Sequence, residues 1–457
     1  MNRIIKYSTF VVAVLLLSSC NIYKKYELPQ DNEVVARFNQ QAKEVPDSSA
    51  LPYLSWKQVF TDPQLQTLIE RALDSNTNLK NAKLNIDIAH AQLKGAKLSY
   101  FPSLAFNPNV STASYGGSHM NWGYQLPLAA QWEIDVFGKI LNRKRQAQMS
   151  LDQAQYYEEA VRSQIICGVA NTYYSIVLLK QQLALTERTT EIWADQVKTM
   201  KLMKEAGTTN EAAVMQSSAN YNNLMSTIPD LKSQIRQLQN TLSLLLNTYP
   251  QEWATTAELN FDIPSAIVDG VPVAAVANRP DVWAAEREFA RAFYATNSAR
   301  AAFYPSLTIS GTGGFTNILG SLISNPGKWF IQLAGSLVAP IFSRGQNIAG
   351  LEMAKAQQQQ ALNNFEYTLL SAGADVDDAL VKIKQNENKR VYVMRQVEDL
   401  EKAVEYTNTL FSVSKSSYLE LLTARSSLLN AQMASLSCWH DRVAALISLY
   451  QAVGGGR

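Results

Sequence analysis

The sequence predicts an α+β membrane protein in which each chain has four transmembrane β-strands and two long α-helical hairpins. Three observations support this fold class. Long segments alternate apolar and polar residues with a period of two, which is typical of strands. Long segments without proline repeat apolar residues at steps of three and four, which is typical of packed helices. Both patterns occur twice along the 457-residue chain, once in each half.

The first strand pair is predicted at 104–115 and 121–136, and the second pair at 306–315 and 329–342. In NWGYQLPLAAQWEIDVF, residues 121–137, large apolar side chains occupy one parity and mostly polar side chains the other. The turn-rich segments YGGSHMN (115–121) and SNPGK (324–328) are predicted to join the strands of each pair as hairpins.

Strands of this length, with aromatic and aliphatic residues on one face, favour an outer-membrane barrel. The aromatic residues at interfacial girdle positions are Trp122, Tyr124, Trp132 and Trp329. The alternative is a soluble antiparallel sheet covered by helices, whose strands show the same alternation of apolar and polar residues. The strands are long for a soluble domain, and no amphipathic helix is left over to cover them, so the membrane interpretation is favoured.

Two long helical hairpins are predicted from segments without proline. The first helix begins near Gly138 and ends at about Ala206, a length of roughly 100 Å at 1.5 Å per residue. Breaks follow at 204–214 and, in the second half, at 411–421. The predicted coiled-coil seams are Leu224, Ile228, Leu231, Ile235, Leu238, Leu242 and Leu245; Leu362, Phe365, Leu369, Ala372, Val376, Ala379 and Ile383; and Leu422, Leu429, Leu436, Val443 and Tyr450.

The two halves of the chain are related by internal duplication. KLSYFPSLAF at 97–106 recurs as RAAFYPSLTI at 300–309, and strands followed by helices come after each copy. Four strands per chain do not close a barrel, and an open edge in lipid leaves backbone groups unpaired. Two, three or four copies would supply eight, twelve or sixteen strands, and these physical arguments leave the number open.

The composition is unusual for a soluble protein. Charged residues make up 18% of the chain, below the roughly 25% of soluble globular proteins, and apolar residues make up 47%. The surface is therefore dominated by Ser, Thr, Asn and Gln, or part of it does not face water.

The N-terminus has the features of a lipoprotein signal peptide, residues 1–19. Arg3 and Lys6 precede an apolar segment too short to span a bilayer, and LSSC ends at Cys20. LSSC resembles a bacterial lipobox, which implies cleavage before Cys20 and attachment of lipid, such as palmitate, to that residue. Loss of Arg3 and Lys6 reduces the basic residues from 41 to 39, equal to the 39 acidic residues. This balance gives no electrostatic basis for binding nucleic acid.

No motif for bond chemistry occurs in the sequence. It contains no HExxH motif, Cys/His cluster, nucleophile elbow or phosphate loop, so we expect no enzyme, no metal site and no cofactor beyond the N-terminal lipid. His90 and His119 are isolated, and His119 falls in a predicted extracellular turn. His440 is predicted to be a satisfied core imidazole. Cys167 and Cys438 are predicted to pack as small hydrophobic residues.

Three stretches carry a resemblance to a known family. They are FTDPQLQTLIERALDSNTNLKNAKLNIDIAHAQLKGAKLSYFPSL (60–104), NRPDVWAAEREFARAFYATNSARAAFYPSL (278–307) and WEIDVFGK (132–139). They resemble the TolC-like outer-membrane factor family, particularly its acylated branch that works with RND-type efflux pumps. The resemblance implies a homotrimer with a 12-stranded β-barrel in the outer membrane, continued by an α-helical barrel in the periplasm.

The same resemblance implies a domain organisation. An acylated arm at 20–60 precedes a first repeat at 61–247, with its β-hairpin at about 103–137. An equatorial connector at 248–275 leads to a second repeat at 276–452, with its β-hairpin at about 306–342. Residues 453–457 form a tail. The arm, the connector and the C-terminal end would form a belt around the helical barrel.

The function implied is that of an outer-membrane channel in a tripartite efflux system of a Gram-negative bacterium. The trimer would form an exit duct for drugs or other small molecules, with a periplasmic adaptor protein and an inner-membrane RND pump as partners. The pump would supply the energy. Two alternatives are a type I secretion outer-membrane component and a non-transporting coiled-coil lipoprotein scaffold.

The resemblance also implies site residues at the two turns between helices. The family has two acidic positions just beyond the second turn, which form a ring at the periplasmic mouth. Glu420 occupies the first position and is expected at the gate, whereas Thr423 replaces the second acid. The residues expected to contact the adaptor are Gly207, Thr208, Thr209, Ser414 and Ser417.

Overall fold

The structure, a computed structural model, describes residues 23, 25–41, 54–113, 121–256, 277, 279–319, 322–413 and 416–456. The signal peptide with Cys20, the turn that contains His119, most of the connector and Ser414 lie outside the described residues.

The chain forms two compact units. One contains Met1–Asn32, Leu84–Tyr156 and Trp283–Tyr367, and the other contains Glu33–Lys83, Tyr157–Val282 and Thr368–Arg457. Each unit therefore takes segments from both sequence repeats. The repeats describe the order of elements along the chain, and they are not separate compact bodies.

The shorter helices come directly before each of the two strand pairs. They are α1 (Glu33–Gln41), α2 (Trp56–Val59), α3 (Pro63–Ser75), α4 (Thr77–Leu98) and α7 (Pro280–Ala301). Asp62 is the N-cap of α3, where its carboxylate accepts from the amides of Gln64 and Leu65. Both α4 and α7, which precede the two strand pairs, have 22 residues.

The long helices repeat in length as well as in order. Helix α5 (Lys139–Glu205) has 67 residues and α6 (Glu211–Leu245) has 35, and in the second half α8 (Gln346–Ser412) has 67 and α9 (Tyr418–Ala452) has 35. Helix α5 begins after Gly138 and ends before Gly207, and both glycines have positive φ, +68° and +71°. This conformation favours glycine and ends a helix.

The predicted seams lie on the buried or half-buried faces of these helices. Buried seam residues of α8 and α9 are Phe365, Leu369, Ala372, Val376, Ala379, Leu422, Leu429, Val443 and Tyr450. In α6 the seam is half-buried along most of its length and becomes fully buried at Leu242. The coiled-coil periodicity therefore predicted the buried faces correctly.

The strands form one antiparallel sheet. They are β1 (Ser103–Phe106), β2 (Asn109–Ala113), β3 (Asn121–Ile134), β4 (Ser306–Leu319) and β5 (Leu322–Val338). The order is β1, β3, β4, β5, with β2 also paired to β3, so β1 with β2 forms one edge and β5 the other.

The predicted first strand is interrupted. Phe106 pairs with Leu128 and Asn109 pairs with Gln125, so β1 and β2 keep one register on β3 across the break. Pro108 lies in the break and has no N–H for the ladder. Together β1 and β2 occupy the position of one of the four predicted strands.

The predicted turn at SNPGK (324–328) is wrong, because these residues belong to β5. Thr316 pairs with Lys328, whereas Ile318 pairs with Ile323, so the register shifts between these two pairs. Pro326 and Gly327 fall within this irregularity, where the ladder requires no hydrogen bond from the proline. The strand therefore continues through a Pro-Gly pair that normally indicates a turn.

One face of the sheet consists of large apolar side chains that are exposed in the single chain. The cross-strand partners Leu104 and Ala130, Leu126 and Phe315, and Phe315 and Trp329 all belong to this face. Its exposed members are Leu104, Phe106, Val110, Trp122, Leu126, Leu128, Trp132, Ile309, Phe315, Trp329, Ile331, Leu333 and Leu337. The other face has small and polar side chains on most positions.

Among the helices in the described ranges, none combines the length and the apolar character that crossing a membrane requires.

The N-terminal arm packs against other parts of the unit that contains the sheet. Tyr23 Oη donates to the carbonyl of Phe137 at 2.8 Å, and Tyr26 Oη donates to Glu286 Oε1 at 2.7 Å. The Tyr26 ring also lies 5.8 Å from that of Phe289. The described start of the chain is therefore fixed to both the end of the β3 segment and α7.

In the other unit, two tyrosine hydroxyls link segments that are distant in sequence. Tyr173 Oη donates to Asp62 Oδ2 at 2.6 Å and accepts from the Thr256 amide at 2.9 Å. Tyr450 Oη donates to the carbonyl of Leu54 at 3.0 Å. The last helix therefore contacts the arm at Leu54, and Tyr173 of α5 links the start of the connector to the N-cap of α3.

Candidate functional site at the helical hairpin turns

The first turn joins α5 to α6 and has a tightly specified backbone. The Thr208 amide donates to the carbonyl of Met203 at 2.9 Å, and the Gly207 amide donates to that of Lys204 at 2.9 Å. This pair of bonds with a left-handed glycine is a Schellman motif. The Thr208 hydroxyl also donates to the Met203 carbonyl at 2.9 Å.

The start of α6 completes this turn. Asn210 is the N-cap, and its Oδ1 accepts from the Ala213 amide at 3.0 Å. Lys204 and Glu211 form an ion pair across the turn. Gly207 and Thr208 are exposed and Thr209 is half-buried, so this turn presents small side chains on a fixed backbone.

The second turn joins α8 to α9, and Ser417 is the N-cap of α9. The Glu420 amide donates to Ser417 Oγ at 3.3 Å, while Glu420 Oε2 accepts from the Ser417 amide at 3.2 Å and from the Ser416 hydroxyl. This arrangement is a capping box, which the sequence S-Y-L-E at 417–420 signals and which the sequence analysis missed. These hydrogen bonds lower the pKa of Glu420 below its ordinary value.

Glu420 and Thr423 are both exposed. The Thr423 hydroxyl donates to the carbonyl of Leu419 at 2.8 Å, so it is bonded to its own helix. Because Glu420 is negatively charged and open to solvent, it remains available to ions, although part of its hydrogen-bonding capacity is used by the cap.

Two polar contacts connect α9 with the first hairpin near the turns. The hydroxyls of Tyr418 and Ser217 share a hydrogen bond. Arg425 Nη1 donates to Gln196 Oε1 at 2.9 Å, and Arg425 Nη2 donates to Asn408 Oδ1 at 3.2 Å. Burial lowers the pKa of Arg425, because its half-buried charge is held by neutral amides.

Arg425 and Tyr418 are not among the site residues predicted from sequence. A signal was present, since Arg425 is a charged residue between the seam positions Leu422 and Leu429 of a helix rich in serine and leucine. The pattern does not say which helix supplies its partner.

Among the other residues considered for chemistry, both cysteines are buried and His440 is half-buried. Cys167 and Cys438 are buried free thiols, and burial raises the pKa of Cys167 to about 12. His440 Nε2 lies 3.0 Å from Ser175 Oγ, and burial lowers the pKa of the imidazole. In the part of the chain that the structure describes, no group of three or more His, Cys, Asp or Glu side chains is placed to hold a metal ion.

Comparison with known proteins identifies the chain at the level of family. The profile of the family described as outer membrane efflux protein matches residues 68–248 and 271–455. The probable outer membrane lipoprotein SilC of Salmonella typhimurium is 27% identical over 406 residues, which cover 88% of this chain and 88% of SilC. The cation efflux system protein CusC of Escherichia coli is 29% identical over 465 residues, which cover 99% of this chain and 98% of CusC.

A toluene efflux pump outer membrane protein, TtgC of Pseudomonas putida, is 26% identical over 463 residues, which cover 98% of this chain and 95% of TtgC. Among solved structures, crystalline CusC matches with a TM-score of 0.83 at 25% identity, over 95% of this chain and 100% of CusC. These comparisons confirm the predicted fold class, which is that of a trimeric α+β channel. They also confirm the predicted location in the outer membrane of a Gram-negative bacterium. The chain belongs to the outer membrane efflux protein family.

Proposed function

We propose that this chain forms the exit duct of a tripartite efflux system as a homotrimer, together with a periplasmic adaptor protein and an inner-membrane RND pump. The observation that supports this proposal most is the combination of an apolar-faced sheet with two long helical hairpins in one chain of the family. The duct provides passage and catalyses no bond chemistry, and the pump supplies the energy.

The free edges of the sheet support assembly from several copies. The edges β1/β2 and β5 present backbone groups without partners within the sheet, and such groups are unfavourable in lipid. Three copies supply twelve strands, in keeping with the even-numbered barrels of the outer membrane.

The hairpin turns form the adaptor-docking surface in this proposal. Gly207, Thr208 and Thr209 present little side-chain bulk on a backbone fixed by the Schellman motif. Ser417 lies at the other turn, and Ser414, which lies outside the described residues, is a further proposed contact residue. A helical hairpin of the adaptor can approach the first turn closely, because the side chains of Gly207, Thr208 and Thr209 are small.

Glu420 forms the periplasmic gate in this proposal. Three copies place three exposed carboxylates around the mouth, where they attract cations and repel one another. With Thr423 at the second position, the ring contains one acid per chain rather than two.

The lipid on Cys20 anchors the mature chain to the outer membrane. The lipobox-like LSSC supports this proposal, as does the relative SilC, whose name describes a probable lipoprotein. No cofactor besides this lipid is required.

The exported compounds are drugs or other small molecules. Relatives at 26–29% identity are named for cation efflux and for toluene efflux, so similarity to the channel does not discriminate between these substrates. Selection of the compound belongs to the pump.

Drug accumulation in a deletion strain tests the proposed function. We expect the wild-type chain to restore efflux of a fluorescent dye only when the cognate adaptor and pump are also present. Restored efflux in the absence of the pump, or no efflux with all three components, contradicts the tripartite assignment. Secretion of a protein substrate instead of dye efflux would favour the type I secretion alternative.

A further inference from the structure

A cavity lies between three of the long helices, and all of its lining residues belong to one of the two compact units. It is bounded by Trp193 of α5, by Leu224 and Leu231 of α6, and by Leu429 and Met433 of α9. We call it the Trp193 cavity. Its volume is about 370 Å³, which falls at the lower end of the about 300–1,000 Å³ of small-molecule sites.

A proline in the middle of α6 lies beside this cavity. Pro229 has no amide to donate to the carbonyl of Met225, four residues earlier, and a proline inside a helix generally bends it. The Thr227 hydroxyl donates instead to the carbonyl of Leu224 at 2.8 Å, three residues earlier. The bend at Pro229 gives a physical reason for a gap in the packing at this level of α6.

The cavity contains a hydrogen-bond donor that the described residues leave unsatisfied. Trp193 is 3% exposed, and its buried Nε1 has no hydrogen-bond partner among the described residues. A buried donor without an acceptor is unfavourable, and such groups are uncommon in folded proteins. An acceptor atom of a compound in the cavity would relieve this cost.

The remaining polar groups of the lining are neutral. Amide side chains come from all three helices, namely Gln182 of α5, Asn220 and Asn223 of α6, and Asn430 of α9. Among the described residues that line the cavity, none has a charged side chain. The lining therefore provides nothing to neutralise an ionic ligand, whereas a neutral compound can meet amide groups at one part and leucine side chains at another.

We propose that the Trp193 cavity binds a neutral aromatic compound that carries a hydrogen-bond acceptor, such as an aryl ketone or an aryl amide. The acceptor takes the proton of Trp193 Nε1 in a hydrogen bond, and the aromatic part packs against the leucines and Met433. This site goes beyond the proposed duct, because its ligand is held between helices of the chain. Binding requires neither the adaptor nor the pump.

Photolabelling of the full-length trimer in mild detergent tests the proposal. The probe is 4-benzoylbenzamide, a neutral aryl ketone with a carboxamide, which inserts into nearby C–H bonds when irradiated. We expect saturable labelling of the α9 segment 426–433, mapped by mass spectrometry of peptides. Labelling of other segments only, or labelling of 426–433 that rises in proportion to probe concentration without saturating, would overturn the proposal.

Trp193→Phe removes the N–H and keeps an aromatic ring. We expect half-maximal labelling of 426–433 to need about tenfold more probe, the change expected for the loss of one hydrogen bond. Trp439→Phe is the matched control, because Trp439 contacts Tyr174 and does not line the cavity. An unchanged labelling curve for Trp193→Phe would contradict the role of this donor and with it the proposed site.

Two adjacent asparagines of α6 provide a second matched pair. Asn222 and Asn223 are both exposed, and only Asn223 lines the cavity. We expect Asn223→Trp to fill the cavity and abolish labelling of 426–433, and Asn222→Trp to label like the wild type. Equal labelling of the two variants would overturn the proposal. Dye efflux by the wild-type chain is measured separately in cells, so failure of this site remains distinguishable from failure of the proposed function.

Discussion

Ser417 and Glu420 cap the N-terminus of α9 reciprocally, each donating its backbone amide to the side chain of the other at 3.3 Å or less. Glu420 therefore has two possible effects at the periplasmic mouth. Its carboxylate supplies charge, and it also holds the first turn of α9 in place. Experiments on the gate need to separate these effects.

The first prediction separates charge from capping at Glu420. Glu420→Gln keeps an acceptor for the Ser417 amide and removes the charge, whereas Glu420→Ala removes both. If charge closes the gate, both variants have weaker divalent-cation block and higher single-channel conductance in planar bilayers. If the cap matters instead, only the alanine variant changes, and unchanged conductance in both would exclude a gate role.

The second prediction concerns the contact between Arg425 and Gln196. Arg425→Met removes the donors to Gln196 and Asn408, and hydrogen bonds from a charged group typically contribute about 1.5–3 kcal/mol. We expect a lower thermal midpoint and a higher single-channel conductance, because the second hairpin is held less firmly to the first.

The control for Arg425→Met is Lys201→Met, which removes an exposed cation from the end of α5 that also contains Gln196. The double variant Arg425→Met with Gln196→Met tests the contact directly. If the two residues act through one bond, the double variant is no less stable than Arg425→Met alone. Additive losses would show that they act independently.

The ends of the long helices could be predicted closely from sequence. The expected helix from Gly138 to Ala206 is observed at Lys139–Glu205, because a glycine with positive φ lies at each end. The apolar seams were also predicted, since a sustained step of three and four places residues on one face whatever the neighbour is.

Features that depend on partners distant in sequence could not be predicted. Arg425 and Gln196 are 229 residues apart, and periodicity does not indicate which helices become neighbours. The Pro-Gly pair in SNPGK predicts a turn, because these two residues are strong local turn signals. In the structure the register shift opposite Asn317 admits both residues within β5.

The third prediction concerns the adaptor-docking turn. Gly207 has a φ of +71° and open space where a side chain would begin, so the constraint there is conformational. Asn tolerates this conformation, whereas Arg adds bulk, charge and strain. We expect Gly207→Arg to abolish drug resistance with trimers intact, and Gly207→Asn to retain most resistance.

A pull-down with the cognate adaptor distinguishes docking from folding at Gly207. We expect Gly207→Arg to bind the adaptor much more weakly than Gly207→Asn does. If Gly207→Arg binds normally and still supports efflux, the first turn is not a docking site.

The fourth prediction concerns pH and Glu286, which is 3% exposed and accepts a hydrogen bond from Tyr26. Burial raises the pKa of Glu286 above its ordinary value of 4.5, more than the nearby Arg287 and the Tyr26 hydrogen bond lower it. The folded protein therefore binds this proton more tightly than the unfolded chain. The stability contributed by Glu286 falls as pH rises from 4.5 through the folded pKa.

Thermal unfolding of the detergent-solubilised protein checks this dependence. We expect Glu286→Gln to lose less stability than the wild type between pH 4.5 and neutrality. The neighbouring substitution Glu288→Gln is the control, and we expect it to keep the loss of stability that Glu286 causes. Tyr26→Phe removes a hydrogen bond that lowers the pKa of Glu286. In this variant the pH-dependent loss of stability should therefore extend to higher pH than in the wild type. Identical pH profiles for wild type and Glu286→Gln would contradict the assignment.

The fifth prediction tests which face of the sheet meets lipid. Leu333 and Gln332 are adjacent in β5 and point to opposite faces, and Leu333 is 79% exposed in the single chain. An arginine on a lipid-facing strand costs about 2–4 kcal/mol near the bilayer midplane, whereas a pore-facing arginine does not meet this penalty. We therefore expect Leu333→Arg to reduce the urea-resistant, membrane-inserted fraction and Gln332→Arg to insert normally. The reverse result would place the apolar face toward the pore, and the sheet would then need a different partner for its large side chains.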